Sequence, residues 1–137
     1  MDAIQEITRK FDELELNYRV TQGKMSDVIR MGMSTDSGAK VEYVIFPSGK
    51  ESDVSMRIYG LVKTPENKRA AVLKACNELN SKYRYAKFDV DKDLDVNVEY
   101  DIARNNGALA ETVMEIIVRF HKIIDDAYPM LMRTIWA

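Results

Sequence analysis

The chain has 137 residues, 46% of them hydrophobic and 31% charged, and its 20 basic and 22 acidic side chains give a net charge of −2. This composition predicts one soluble globular domain spanning residues 1–137, and a single cysteine excludes a disulfide framework. The acidic excess argues against a nucleic-acid partner, and no apolar run approaches the ~20 residues that span a membrane. Because Asp2 stands where a secretory signal would be basic, we expect a cytoplasmic protein.

The first half of the chain predicts one helix followed by three strands. Apolar residues at three- and four-residue spacing indicate a helix from Asp2 to about Glu15, and Asp2 with Gln5 resembles a capping box. Runs rich in Val, Ile, Met and Tyr then predict strands at Asp27–Met33, Lys40–Pro47 and Asp53–Val62. A polar loop, Ser34 to Ala39, separates the first two strands, and Pro47 to Lys50 is short enough to close a hairpin.

A second helix and a second hairpin follow. Thr64-Pro65-Glu66 is typical of a helix start, with Thr64 as the N-cap, and predicts a helix from Pro65 to about Ser81. The next two strands, Arg84 to Asp91 and Asp93 to Ala103, are expected to turn near Lys92. The second of these strands alternates strictly between apolar and polar side chains, which indicates that one face of the sheet contacts water.

The chain ends in a long apolar helix and a short tail. Asn105-Asn106-Gly107 breaks the last strand, and a helix is expected from about Ala108 to Ala127, where Tyr128-Pro129 kinks or ends it. Because the tail carries Trp136 and large aliphatic residues, it is expected to dock on an apolar surface. We expect that surface to be the sheet of the same chain rather than a partner. The order α-β-β-β-α-β-β-α predicts an α+β fold, with three helices on a five-stranded, mainly antiparallel sheet.

Residues that could carry chemistry have simpler structural interpretations. Cys76 lies on the apolar stripe of its helix, which favours a buried thiol, and His121 is expected at the surface or its boundary. The acids from Asp89 to Asp93 resemble a calcium loop, but Leu94 and Tyr100 stand where glycine and glutamate are required. Because catalytic and phosphate-binding motifs are absent from the sequence, we expect no enzyme activity, no cofactor and no metal.

Surplus apolar residues are the main functional signal. Both faces of the strand from Val41 to Phe46 are apolar, and methionines line the neighbouring strands. Methionine suits a surface that accepts varied apolar partners, but a row of methionines is more often ordinary core, so core is favoured over a binding groove and both interpretations stay open. The candidate protein-binding residues are Met31, Met33, Tyr43, Ile45, Met56 and Trp136. The wide apolar arc of the last helix, together with the two-faced strand, predicts a homodimer.

The chain resembles the YbjN family of bacterial sensory transduction regulators. The resemblance lies in the order of elements, the TPE-capped central helix, the strand DLDVNVEYDIA and the closing helix ending YPMLM. It implies a type III secretion chaperone-like fold of five strands and three helices in a bacterial cytosol. By analogy with the secretion chaperones, it also implies a homodimer that binds extended polypeptide on apolar patches.

Three functions remain in competition. The leading expectation is a non-catalytic protein-binding module, chaperone-like or regulatory, that forms a homodimer and holds an apolar polypeptide segment. The alternative is a small-molecule-binding protein or an enzyme that uses a cavity between the sheet and the helices. A structural subunit of a larger assembly is the third, and it would require a large apolar interface with a different chain.

Overall fold

The computed structural model describes residues 2–47, 53–103 and 107–137. Their helices and strands are α1 (Ala3–Glu13), β1 (Arg19–Thr21), β2 (Val28–Ser34), β3 (Lys40–Phe46), β4 (Val54–Lys63), α2 (Arg69–Lys82), β5 (Lys87–Val90), β6 (Asp95–Ile102) and α3 (Leu109–Trp136). The strands form one six-stranded sheet in the order β1-β2-β3-β4-β6-β5, in which all neighbours are antiparallel. The predicted α+β class is confirmed, and the predicted count of five strands is one too low.

The strand missed by the sequence pattern is β1, which has three residues. Such a strand is shorter than the runs of about 4–8 residues from which alternation can be recognised. Tertiary contacts support it, because Arg19 forms an ion pair with Glu42 at 2.7 Å, and Tyr18, just before β1, places its ring 5.6 Å from that of Phe11 on α1. The capping box predicted at the start of α1 is confirmed.

The core lies between one face of the sheet and the helices, with α3 in the middle. The ring of Phe120 on α3 lies 6.2 Å from that of Tyr43 on β3. The second half of α3 runs antiparallel to α2, because Lys68 donates a hydrogen bond to the Ala137 carbonyl oxygen and the Tyr83 hydroxyl bonds to Asp126 at 3.2 Å. Since α3 contacts the sheet, α1 and α2, most of its wide apolar arc is buried within the chain itself.

The connection between β2 and β3 is the polar loop expected at this position, and it docks on α3. Gly38 adopts a left-handed φ of 103°, a region that glycine reaches without strain. The backbone N–H of Ser37 donates a hydrogen bond to Asp125 Oδ1 at 2.8 Å. The loop therefore ties the hairpin to the middle of α3.

The start of α2 differs from the prediction. The Thr64 hydroxyl caps no helix: it is buried and has no hydrogen-bond partner among the described residues. The Thr64 backbone N–H instead donates to the Leu94 carbonyl oxygen at 2.8 Å, which fixes Thr64 beside the β5–β6 turn. The chain then passes through a 3₁₀ turn, Glu66–Lys68, and α2 begins only at Arg69.

Asp91 organises the predicted turn between β5 and β6. Its carboxylate accepts hydrogen bonds from the backbone of Asp93 at 2.9 Å and of Asp95 at 3.1 Å, and from the Asn97 amide at 2.8 Å. The hydrogen bond from Asn97, followed by those from the backbone, lowers the pKa of Asp91. The turn is confirmed near Lys92, and Asp91 serves in it as a hydrogen-bond acceptor.

The last helix continues through Pro129 and reaches Trp136, so the predicted end at Tyr128-Pro129 is wrong. Pro129 removes one backbone donor, but the helix beyond it buries Leu131 and Ile135, which favours continuation over termination. Two predicted connections, residues 48–50 and 105–106, lie outside the described residues. Within the described ranges, no helix combines the length and the hydrophobicity that a bilayer span needs.

Candidate functional site

Cys76 lies on α2 and is only 4% exposed. Burial raises the pKa of its thiol to about 11, and the negative charge of Asp89 adds to the rise. Because the thiolate is the nucleophilic form, a thiol with this pKa is unreactive at neutral pH. Cys76 packs here as a small apolar residue, as predicted.

His121 is half-buried on α3, at the boundary that the sequence suggested. Its Nδ1 atom is buried and has no hydrogen-bond partner among residues 2–47, 53–103 and 107–137. Asp125, one turn further along, accepts hydrogen bonds from the backbone and side chain of Ser37, which lower the pKa of the Asp125 carboxyl. That carboxylate therefore holds the β2–β3 loop, and although its charge acts on His121, no hydrogen bond between the two side chains is seen among the described residues.

The acidic face of β6 was expected to be solvated, and in the structure it is paired with basic residues. Glu99 forms ion pairs with Lys87 at 2.8 Å and with Arg57 at 3.5 Å, and Arg57 also reaches Asp101 at 2.8 Å. Burial alone would raise the pKa of Asp101, but the hydrogen bonds from Arg57 and Ser55 lower it overall. No cluster of metal-ligating side chains occurs in the described part of the chain.

The six candidate protein-binding residues fall into two groups. Four are buried in the core: Met31, Tyr43, Ile45 and Met56. The helices cover them, so a partner could reach them only by displacing those helices. Met33 is half-buried near the end of β2, and Trp136, at the end of α3, is 79% exposed. Binding through Met33 or Trp136 stays a prediction.

The outward side of α3 carries a second set of large side chains. They recur at three- and four-residue spacing and so follow one line along the helix. We call the following residues the outer stripe: Met114, Val118, His121, Asp125, Tyr128, Met132 and Trp136. Val118 is 63% exposed, and the residues between it and Trp136 are half-buried. The outer stripe is therefore a partly covered line, in which Val118 and Trp136 are exposed while Met114, Tyr128 and Met132 also pack against the core.

A cavity of about 320 Å³ opens where the end of α2, the chain between α2 and β5, and the middle of α3 meet. We call it the basic pocket, because four of its lining residues are cations: Lys82, Arg84, Arg119 and Lys122. Tyr83, Tyr85 and Ile123 supply aromatic and apolar walls, and Asp126 is the acidic residue of the lining. No sequence pattern predicted this pocket, because residues 82–85 and 119–126 meet only in the fold.

Contacts within the basic pocket hold two of its groups in place. The Arg119 guanidinium lies 4.3 Å from the centre of the Tyr85 ring and donates to Glu115 at 2.7 Å. Asp126 accepts the hydrogen bond from the Tyr83 hydroxyl. Among the described residues, Lys82, Arg84 and Lys122 form no ion pair with a carboxylate. The pocket therefore keeps uncompensated positive charge on a chain whose net charge is −2.

Comparison with known proteins gives one family. The YbjN family model, described as "Putative bacterial sensory transduction regulator", matches residues 6–133. No curated protein matches the chain significantly. The matched region includes α2, the whole sheet and nearly all of α1 and α3.

Proposed function

The chain belongs to the YbjN family, and from this we propose that it is a non-catalytic regulatory module that forms a homodimer and holds an apolar segment of another polypeptide. The family is described by regulation and not by a reaction. The observation that carries the proposal is the outer stripe, in which Val118 and Trp136 are exposed and the half-buried Met114, Tyr128 and Met132 lie along the same line. Contiguous apolar surface of this kind marks sites of protein association.

The second copy of the chain is the occupant that fits the outer stripe. Met114 and Met132 lie at equal distances along the helix from Ile123, as do Val118 and Tyr128, and as do His121 and Asp125. Two copies of α3 crossing antiparallel at Ile123 would therefore place Met114 opposite Met132, the apolar Val118 opposite the Tyr128 ring, and His121 opposite the Asp125 carboxylate. This self-complementarity is what a two-fold symmetric interface requires.

Val118→Asp is expected to convert a dimer into a monomer. A two-fold symmetric dimer would bury the Val118 side chain of both copies. Burial of each stabilises the dimer by about 1.5–3 kcal/mol, so the substitution should weaken dimerisation at least about a hundredfold. Light scattering at micromolar concentration measures the mass of each variant. Leu73→Asp is the matched control, because Leu73 is an exposed apolar residue on α2 outside the outer stripe. A monomer mass for the unmodified chain would contradict the homodimer.

The polypeptide-binding part of the proposal is supported by the β1 edge of the sheet. The side of β1 facing away from β2 pairs with no strand among the described residues. Exposed apolar side chains surround this edge: Leu14 after α1, Val20 on β1, and Met25, which is 83% exposed, in the following loop. An extended segment added beside β1 would gain backbone hydrogen bonds and place alternate side chains near Val20.

Val20→Lys is expected to weaken binding of an extended apolar peptide at least about tenfold, because it introduces a charge where alternate peptide side chains would pack. The probe is a fluorescent peptide of alternating valine and threonine with terminal lysines, and anisotropy measures its binding. Leu73→Lys carries the same change on α2 and should bind normally. Equal affinity for both variants would exclude the β1 edge as the binding site.

Small-molecule binding is a second candidate function, and the basic pocket is the observation that favours it. Its volume of about 320 Å³ falls at the lower end of the range of roughly 300–1,000 Å³ typical of ligand sites. A regulator that senses a small molecule would need such a site in addition to its protein-binding surfaces.

A further inference from the structure

We propose that the basic pocket binds a nucleoside monophosphate, with the phosphate among the cations and the planar base against the Tyr83 ring. The inference rests on the pocket alone and does not depend on the homodimer or on polypeptide binding. Two properties carry it: three cations, Lys82, Arg84 and Lys122, that form no ion pair with a carboxylate among the described residues, and aromatic walls directly beside them.

The cations of the basic pocket come from two directions. Lys82 and Arg84 flank the end of α2, while Arg119 and Lys122 are three residues apart on α3 and therefore lie on the same side of that helix. Lys82 lies in the last turn of α2, where it also offsets the negative end of the helix dipole. Asp126, the acid of the lining, is already bonded to the Tyr83 hydroxyl. An entering phosphate would relieve the repulsion among these cations.

Arg119 is the residue best placed to receive a phosphate. Stacking on Tyr85 and the hydrogen bonds to Glu115 at 2.7 and 3.2 Å hold its guanidinium in one orientation before a ligand arrives. A guanidinium has five N–H donors in a rigid plane, so those that do not contact Glu115 stay available to an anion. Lys122 would add a flexible second donor from the same face of α3.

The tyrosines select a ligand that has a planar ring. Tyr83 and Tyr85 are half-buried. The Tyr85 ring is already packed against Arg119, 4.3 Å from its centre, and against Tyr100, whose ring centre lies 5.7 Å away. The stacking surface is therefore the Tyr83 ring, from which the exposed Lys82 ammonium, 5.2 Å from the ring centre, would move aside. Tyrosine faces bind nucleobases by stacking, which is worth about 1–3 kcal/mol per base in known complexes. Ile123 is buried beneath the cations and gives the pocket an apolar wall.

Isothermal titration of the full chain with adenosine monophosphate, adenosine and inorganic phosphate tests the proposal. Adenosine monophosphate should bind more tightly than either of its parts, because only it engages the cations and the tyrosines together. Lys122→Ala and Arg84→Ala should each weaken its binding about tenfold. Lys74→Ala is the matched control, because it removes an exposed lysine on α2 that does not line the pocket. The control should bind like the unmodified chain.

The possible outcomes separate the parts of the proposal. Inorganic phosphate binding as tightly as adenosine monophosphate would overturn the role of the tyrosines. Equal weakening by Lys74→Ala and Lys122→Ala would show that only the overall charge matters, and no binding of any probe would reject the site. Since Lys122 and Arg84 are exposed, both variants should keep the thermal transition of the unmodified chain, so lost binding cannot be attributed to unfolding.

Discussion

Phe120→Ala is expected to lower the free energy of unfolding by about 3–5 kcal/mol, the usual cost of removing a fully buried phenylalanine ring. Phe120 is completely buried at the middle of α3, where its ring meets that of Tyr43. Tyr43 cannot fill the resulting cavity easily, because its own position is fixed in the central part of the sheet between β2 and β4. Since domains of this kind are stable by about 5–15 kcal/mol, the loss would be a large fraction of the total.

Urea unfolding followed by circular dichroism measures this loss. Val118→Ala is the control on the same helix: because Val118 is largely exposed in one copy of the chain, the change should stay within about 0.5 kcal/mol for the monomer. The comparison is made at protein concentrations below dimerisation. If both variants unfolded at the same urea concentration, α3 would not be packed on the sheet as described.

Removal of residues 130–137 is expected to cost about 3–6 kcal/mol. The segment contains two buried side chains, Leu131 and Ile135, and each is worth about 1.5–3 kcal/mol. It also contains the Ala137 carbonyl group that accepts a hydrogen bond from Lys68, so the truncation loosens α2 as well as α3. The truncated chain should unfold at a much lower urea concentration and should aggregate, because the sheet beneath the lost turns becomes accessible.

Trp136→Ala is the control that separates the contribution of the tail to monomer stability from its contribution to an interface. Trp136 is exposed, so the substitution should leave the stability of the monomer unchanged while it weakens any interface formed by the outer stripe. The expectation that the tail docks on its own chain is met by Leu131 and Ile135 and not by Trp136. If the truncated chain kept the original urea midpoint, the last turns of α3 would contribute nothing to the core.

The α+β class, the three helices and five of the six strands could be predicted because their signals are local. The capping box of α1 and the hairpin of β5 and β6 are examples, since each depends on residues a few positions apart. The start of α2 could not be predicted, because Thr64 is held by a distant contact with Leu94. The end of α3 was misplaced for a related reason: the burial of Leu131 and Ile135 outweighs the proline, and burial is a property of the whole fold.

The candidate sites were harder to predict than the fold. Alternation identifies which side chains share a face, but not what covers that face, so Met31 and Met56 stayed candidates for a binding groove although a core position was favoured. The exposure of Val118 could not be predicted either, because it depends on which parts of α3 are covered by α1 and α2. The basic pocket needs residues from α2, α3 and the chain before β5 together, and no sequence pattern spans that distance.

The central position of α3 also affects how the protein is made. All six strands precede α3 in the chain, yet α3 covers the middle of their apolar face. At a synthesis rate of about 5–20 residues per second, the 28 residues of α3 take on the order of 1–6 s to appear. During that interval a nascent chain carries strands whose apolar face is only partly covered. The final folding step therefore follows translation of α3. Until α3 packs on the sheet, we expect general folding chaperones to bind the exposed apolar face.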